Sequence, residues 1–163
     1  MRKLIVILSL GMLTFASCST DGENETDTNA IVGTWVVTDF ALNGFDASDD
    51  ARFGQQIIRN LASRDCYIIN LQFNEDGTVV ARSSGAYLEI NATATGLDVP
   101  CPTESDVENS TYTFDGSVLS ILDENGETIS TRVNIDGAEM RINAADLEID
   151  EFDEAGELVF TRQ

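Results

Sequence analysis

The sequence predicts an all-β protein, an antiparallel meander closed into a β-barrel of about eight strands with one short helix inserted between the first two. Three observations carry that expectation. From Ile31 to Gln163 the apolar residues recur with the strand period of two. Turn dipeptides interrupt the pattern at short intervals, at Asp76-Gly77, Asp115-Gly116, Asn125-Gly126 and Asp136-Gly137. One segment alone has helical spacing, so strands follow one another through short turns rather than alternating with helices. A sandwich is the alternative arrangement of the same strands.

Taken in order, the first strand spans residues 32–42. The helix is predicted over residues 48–64, where Phe53, Ile57 and Leu61 stand four apart. Ser48 is placed as its N-cap, Asp49 and Asp50 lie in its first turn and Arg64 at its end, all favourable to the helix dipole. Gly54 weakens it by about 1 kcal/mol relative to Ala. Such a one-faced helix covers one end of a barrel, as a plug or as a lid over a ligand mouth. The second strand spans residues 66–73, with Tyr67, Ile69, Leu71 and Phe73 on one face. Asn74-Glu75-Asp76-Gly77 turns it into residues 78–82, because Asp-Gly accepts the positive φ of a tight hairpin. A further strand is expected over residues 86–90. Strands at 110–114 and 118–122 flank Asp115-Gly116, and Asn125-Gly126 leads into 128–135, the cleanest alternation in the chain. Asp136-Gly137 leads into 139–143, residues 147–149 continue the pattern, and Ala155-Gly156 opens the last strand, 158–162.

Ahead of this domain the chain carries an address. Residues 1–18, MRKLIVILSLGMLTFASC, put two cations before an apolar run that ends in Ala16 and Ser17 and then Cys18. The run is shorter than the roughly 20 apolar residues a membrane-crossing helix needs. Its ending resembles the lipobox of bacterial lipoproteins, with Phe15 where Leu is usual. That resemblance implies a signal peptide over residues 1–17 and a lipid on Cys18 as mature N-terminus. The membrane is then a partner through that lipid, at the outer membrane of a Gram-negative bacterium, facing periplasm or cell surface; Ser19 gives no Asp-type inner-membrane retention signal. Residues 18–30 hold no large apolar side chain, so they read as a flexible acidic tether. Its acid-rich start resembles surface-export tags. Residues 31–163 form the single domain.

Composition excludes several functions. Removing the signal moves the formal charge from −20 to −22 and leaves arginine as the sole cation type. Nucleic acid is excluded, since proteins hold phosphate backbones by neutralising them. The acidity serves solubility, or it steers a cationic partner. There is no histidine, and no lysine beyond Lys3, which removes histidine-based triads, imidazole metal sites and Schiff bases. With 29 acids, chance carboxylate pairs carry no weight for glycosidase chemistry. No catalytic residue, metal ligand or cofactor is expected, and the chain is not read as an enzyme. The calcium-loop pattern fails because Glu151 follows Asp146, Glu148 and Asp150 where Gly is required. Asn91 and Asn109 head glycosylation sequons that a bacterial lipoprotein would leave bare. With Cys18 on lipid, Cys66 and Cys101 remain as an even pair in an oxidising compartment, where a disulfide is the default and two separate buried thiols the alternative.

Gly33-Thr34-Trp35 in the first strand, Cys66, Leu71-x-Phe73 followed by Asp76-Gly77-Thr78, then Cys101 and Tyr112, together resemble the lipocalin-like domain of bacterial lipoproteins. The resemblance covers residues 31–163. It implies a structural role for Gly33 and Trp35, the indole closing the barrel base, and for Arg162, the arginine near the last strand packing over it. The Thr-Asp-Tyr motif of typical lipocalins is missing, so no transport or receptor role follows. The resemblance leads to a binding module holding a small apolar or amphipathic molecule. Its candidate lining residues are Phe53, Ile57, Tyr67, Ile69, Leu71, Ile129, Val133, Met140 and Ile142, each of which could instead fill the core. The alternative is a protein-interaction or inhibitor module, an acidic barrel covering a basic protein such as a lysozyme. A cavity of about 300 Å³ or more favours the first.

Overall fold

A computed structural model of the chain describes residues 28–42, 47–94, 96–123, 125–147 and 156–163. The signal segment, Cys18, most of the tether and the expected turn at Ala155 lie outside the described residues. Ten strands are described: β1 (Gly33–Leu42), β2 (Ile69–Phe73), β3 (Thr78–Ser83), β4 (Asn91–Thr93), β5 (Gly96–Asp98), β6 (Asp106–Phe114), β7 (Val118–Leu122), β8 (Thr128–Asp136), β9 (Glu139–Asn143) and β10 (Gly156–Arg162). Helix α1 (Asp49–Ala62) lies between β1 and β2. Eight strands close an antiparallel barrel in the order β1-β10-β9-β8-β7-β6-β3-β2, and β4 and β5 pair apart as a small hairpin. Closure gives each of these eight strands a partner on both sides, so the period-two apolar faces point to one interior.

One end of the barrel is filled. There Trp35, Phe73, Phe160, Met140, Leu119 and Val133 are buried in a single cluster. The Trp35 Nε1–H donates to the Ile31 carbonyl at 2.7 Å, satisfying the buried indole's one polar atom. Arg162 lies over the indole, its guanidinium carbon 4.2 Å from the ring centroid, a contact worth about 0.5–2 kcal/mol. The guanidinium also donates to the carbonyls of Val32 and Ala30, fastening the last strand to the entry of the first. Gly33 is required here: its φ is 133°, and a Cβ would stand 3.0 Å from Arg162 Nη1. Beside it, Phe73 and Tyr112 meet edge to face at 4.9 Å, and the Tyr112 hydroxyl donates to the Asn74 carbonyl. Burial, then the nearby Asp76 charge, raises the Tyr112 pKa.

Helix α1 forms where its spacing places it. The Ser48 Oγ accepts from the Ala51 amide, an N-cap bond, and Asp49 and Asp50 occupy the first turn. Ala51, Ile57, Ile58 and Leu61 bury one face in the core cluster that also contains Phe40 and Leu158. Gln55 donates to the Phe40 carbonyl and Arg59 pairs with Asp39, both on β1. The helix stops at a left-handed Asp65 (φ 57°), where the Cys66 amide closes back on the Leu61 carbonyl.

The structure corrects four boundaries. The second strand starts at Ile69 and not at residue 66, because Cys66 belongs to the helix-terminating turn. Residues 86–90 form no strand: a 3-10 turn spans Gly85–Tyr87, and both edges of β3 are already taken by β2 and β6. β6 begins at Asp106 instead of residue 110. Leu147 closes a 3-10 turn, Ala144–Leu147, where a strand over 147–149 was expected; residues 148 and 149 lie outside the described residues.

Candidate functional site

The unfilled end of the barrel is the one at which β2 and β6 begin and β3 and β7 end. Strand register fixes which side chains face inward there. Leu71 pairs with Ala81, Ala81 with Glu108, and Val79 with Ser110, so all five share the interior face. β7 follows β6 only through Tyr112–Phe114, after which the two strands part, and the Ser110 hydroxyl reaches the Leu122 carbonyl across the gap at 2.5 Å. Behind that gap lies a cavity of about 510 Å³ with Leu71, Val79, Ala81, Ile121 and Ile129 as its apolar wall. Leu122 borders it at the gap, and Glu108, Asn109, Ser110, Asp123 and Asn125 are its polar members. A second cavity of about 270 Å³ adjoins it, sharing Leu71, Ala81 and Glu108 and reaching Phe160. The larger volume falls in the range that holds small ligands.

The opposite flank of β8 is closed differently. β9 pairs with β8 only from Val133 onward. Next to that last pair Thr131, a buried residue on the interior face, donates to Asp146 from the 3-10 turn at 3.0 Å. The rim on the β2–β6 side is stapled. Cys66 and Cys101 are bonded, their Cα atoms 5.7 Å apart, tying the segment before β2 to the segment before β6. Arg64 donates to the Val99 carbonyl at 2.6 Å beside it.

The nine expected lining residues divide by depth. Leu71 and Ile129 line the larger cavity, Ile69 and Leu71 the smaller. Val133, Met140 and Ile142 are buried in the filled part of the core. Phe53 and Ile57 pack into the core from α1, which contributes no residue to the wall of either cavity. Tyr67 precedes β2 and turns to Asp65, its hydroxyl 3.0 Å from that carboxylate, which raises its pKa. Sequence reasoning missed Val79, Ala81 and Ile121, although their alternation within 78–82 and 118–122 marked one face. Glu108 gave no such signal, because an acid in an alternating strand reads as solvent-facing. Among the described residues no group of His, Cys, Asp and Glu side chains is arranged to hold a metal ion.

No family model matches the chain, and no curated protein matches it. Among solved structures it is similar to a lipocalin-like protein from Bacteroides uniformis, at 12% identity and a TM-score of 0.42 over 82% of this chain and 99% of that one. A protein from Bacteroides eggerthii aligns at 11% identity and the same TM-score, covering 81% of this chain and 98% of that one.

Proposed function

We propose that this chain is a lipid-anchored binding protein of the cell envelope that takes a small apolar or amphipathic molecule into the unfilled end of its lipocalin-like barrel. The observation that carries the reading is the cavity of about 510 Å³ walled by Leu71, Val79, Ala81, Ile121 and Ile129. Apolar side chains left facing an open volume forgo the contacts that fill the other end of the barrel, and a ligand supplies them. Ligand binding is the reading of the cavity; the anchor rests on the order of charges, apolar run and small residues ahead of Cys18. An acyl group contributes about 0.8 kcal/mol per buried methylene, so several chains on one cysteine hold firmly.

Titrating the protein with an environment-sensitive apolar dye tests the cavity. Saturation at one site per molecule is expected. Ala81→Phe, which fills the wall shared by the two cavities, should abolish it while leaving the thermal transition in place. Dye uptake that never saturates, or that Ala81→Phe leaves unchanged, removes the reading. On protein extracted from membranes, the mass of the N-terminal peptide should carry acyl chains on Cys18. An unmodified terminus further along the chain removes the anchor.

A further inference from the structure

We infer that the cavity selects amphipathic cations: molecules with an apolar body and an ammonium or guanidinium head, the head held by Glu108. This rests on the cavity binding a ligand at all, and it adds the chemical class. The argument begins with strand register. Glu108 stands opposite Ala81 on the interior face of the barrel, and it belongs to the walls of both cavities, at their junction. Glu108 is exposed there, so it marks the mouth of the cavity and not its depth.

Three carboxylates line the two cavities, and two are already engaged within the protein. Asp106 accepts the Tyr87 hydroxyl at 2.8 Å. Asp123 accepts the amides of Asn125 and Glu127 at 2.9 and 2.7 Å and so belongs to its own turn. The Glu108 side chain makes no hydrogen bond and no ion pair among the described residues, whose salt bridges join Arg59 to Asp39 and Arg141 to Glu139 and Glu157. Arg82 borders the smaller cavity, but its backbone pairs with Val107, on the opposite face of β6 from Glu108, and it is not within ion-pair distance of Glu108. The uncommitted carboxylate therefore faces the same volume as Leu71 and Ile121. Glu108 is exposed to solvent at the cavity mouth, so an opposite charge on a ligand whose apolar part lies against those side chains would pair with it there as a surface ion pair, worth a severalfold gain in affinity. The net charge of −20 acts in the same direction at longer range, drawing cations toward the mouth and repelling carboxylates and sulfates. Fatty acids, the simplest amphiphiles, are thus the wrong sign for this cavity.

Three ten-carbon probes that share a tail, decyltrimethylammonium, decanol and decanoate, separate the possibilities when each competes with the bound apolar dye below its micellar concentration. The cation should displace the dye at a concentration about threefold to fivefold lower than decanol, and decanoate should be weaker than decanol. Glu108→Gln should bring the cation level with decanol and leave decanol unchanged. Equal displacement by cation and alcohol in the unaltered protein overturns the inference. So does a cation preference that survives Glu108→Gln and vanishes in high salt, since it would belong to the overall charge. Displacement by none of the three, with no saturable dye binding, overturns the ligand-binding reading beneath it.

Discussion

Gly156 and Gly33 are both glycines at strand starts, and they are there for different reasons. At Gly33 the backbone angle and the approach of Arg162 both exclude a side chain. At Gly156 the backbone is unremarkable, but an added Cβ would stand 2.4 Å from Cε2 of Phe40, a fully buried ring, and 3.2 Å from the Ala41 carbonyl oxygen. A ring held by packing has no free direction in which to move. Gly156→Ala is therefore expected to destabilise by about 1–3 kcal/mol. The check is the denaturant midpoint, which should fall with the slope of the transition unchanged. A midpoint equal to that of the unaltered protein would show that Phe40 yields without cost. Glu108 illustrates the opposite situation, a side chain whose chemistry and not its bulk makes it informative.

Three tight turns of the barrel are built on an aspartate that folds back on its own backbone. Asp76 accepts from the hydroxyl and amide of Thr78, Asp115 from the amides of Ser117 and Val118, and Asp123 from those of Asn125 and Glu127. These bonds favour the charged carboxylate and hold each pKa below the ordinary Asp value. For Asp76 the Thr78 hydroxyl is the largest cause; for Asp115 and Asp123 it is the amides of Val118 and Glu127. A carboxyl depressed in the folded state binds fewer protons there than in the unfolded chain. Its stabilisation is therefore full above the unfolded Asp value of about 3.9 and is lost as pH falls through the folded value. Replacing all three by Asn keeps the acceptors and removes the titration. Against a charge-matched control carrying Glu89→Gln, Asp98→Asn and Glu104→Gln, the triple turn variant should melt lower at pH 6. That gap should narrow steadily below about pH 4. A gap independent of pH would mean that the turns do not draw on the charge.

Across the whole molecule the barrel is half packed and half open, and its strongest constraint sits at the open end. Closing the loop of 35 residues between Cys66 and Cys101 restricts the unfolded chain by about 4 kcal/mol in the entropy model. Because the bond joins the segments ahead of β2 and β6, it also braces one rim of the cavity. The facing wall, the β7–β8 hairpin, has no such covalent tie. Reduction, or paired Cys66→Ser and Cys101→Ser, should lower stability by an amount of that order. It should also weaken dye binding more than Gly156→Ala does at equal loss of stability. Loss of stability with dye affinity untouched would confine the disulfide to holding the fold.

Much of this was legible in the chain. The strand period, the Asp-Gly and Asn-Gly turns and the capped helical stretch are local, since each follows from the conformations that a few neighbouring residues allow. So the meander, helix α1 and the turns at Gly77, Gly116, Gly126 and Gly137 could be read directly. The roles of Trp35 and Arg162 followed from resemblance, and the contact between them is present. Which residues fill the barrel and which border a void could not be read, because Val133 and Ile129 look alike in an alternating strand. Their fates differ through what stands across the barrel. Val133 faces the large side chains gathered around Trp35, whereas Ile129 lies at the level where β6 and β7 part. The inward placement of Glu108 is tertiary in the same sense. Only the pairing of β6 with β3, across the excursion through β4 and β5, sets the register that brings an acid of ordinary appearance to the mouth of the cavity.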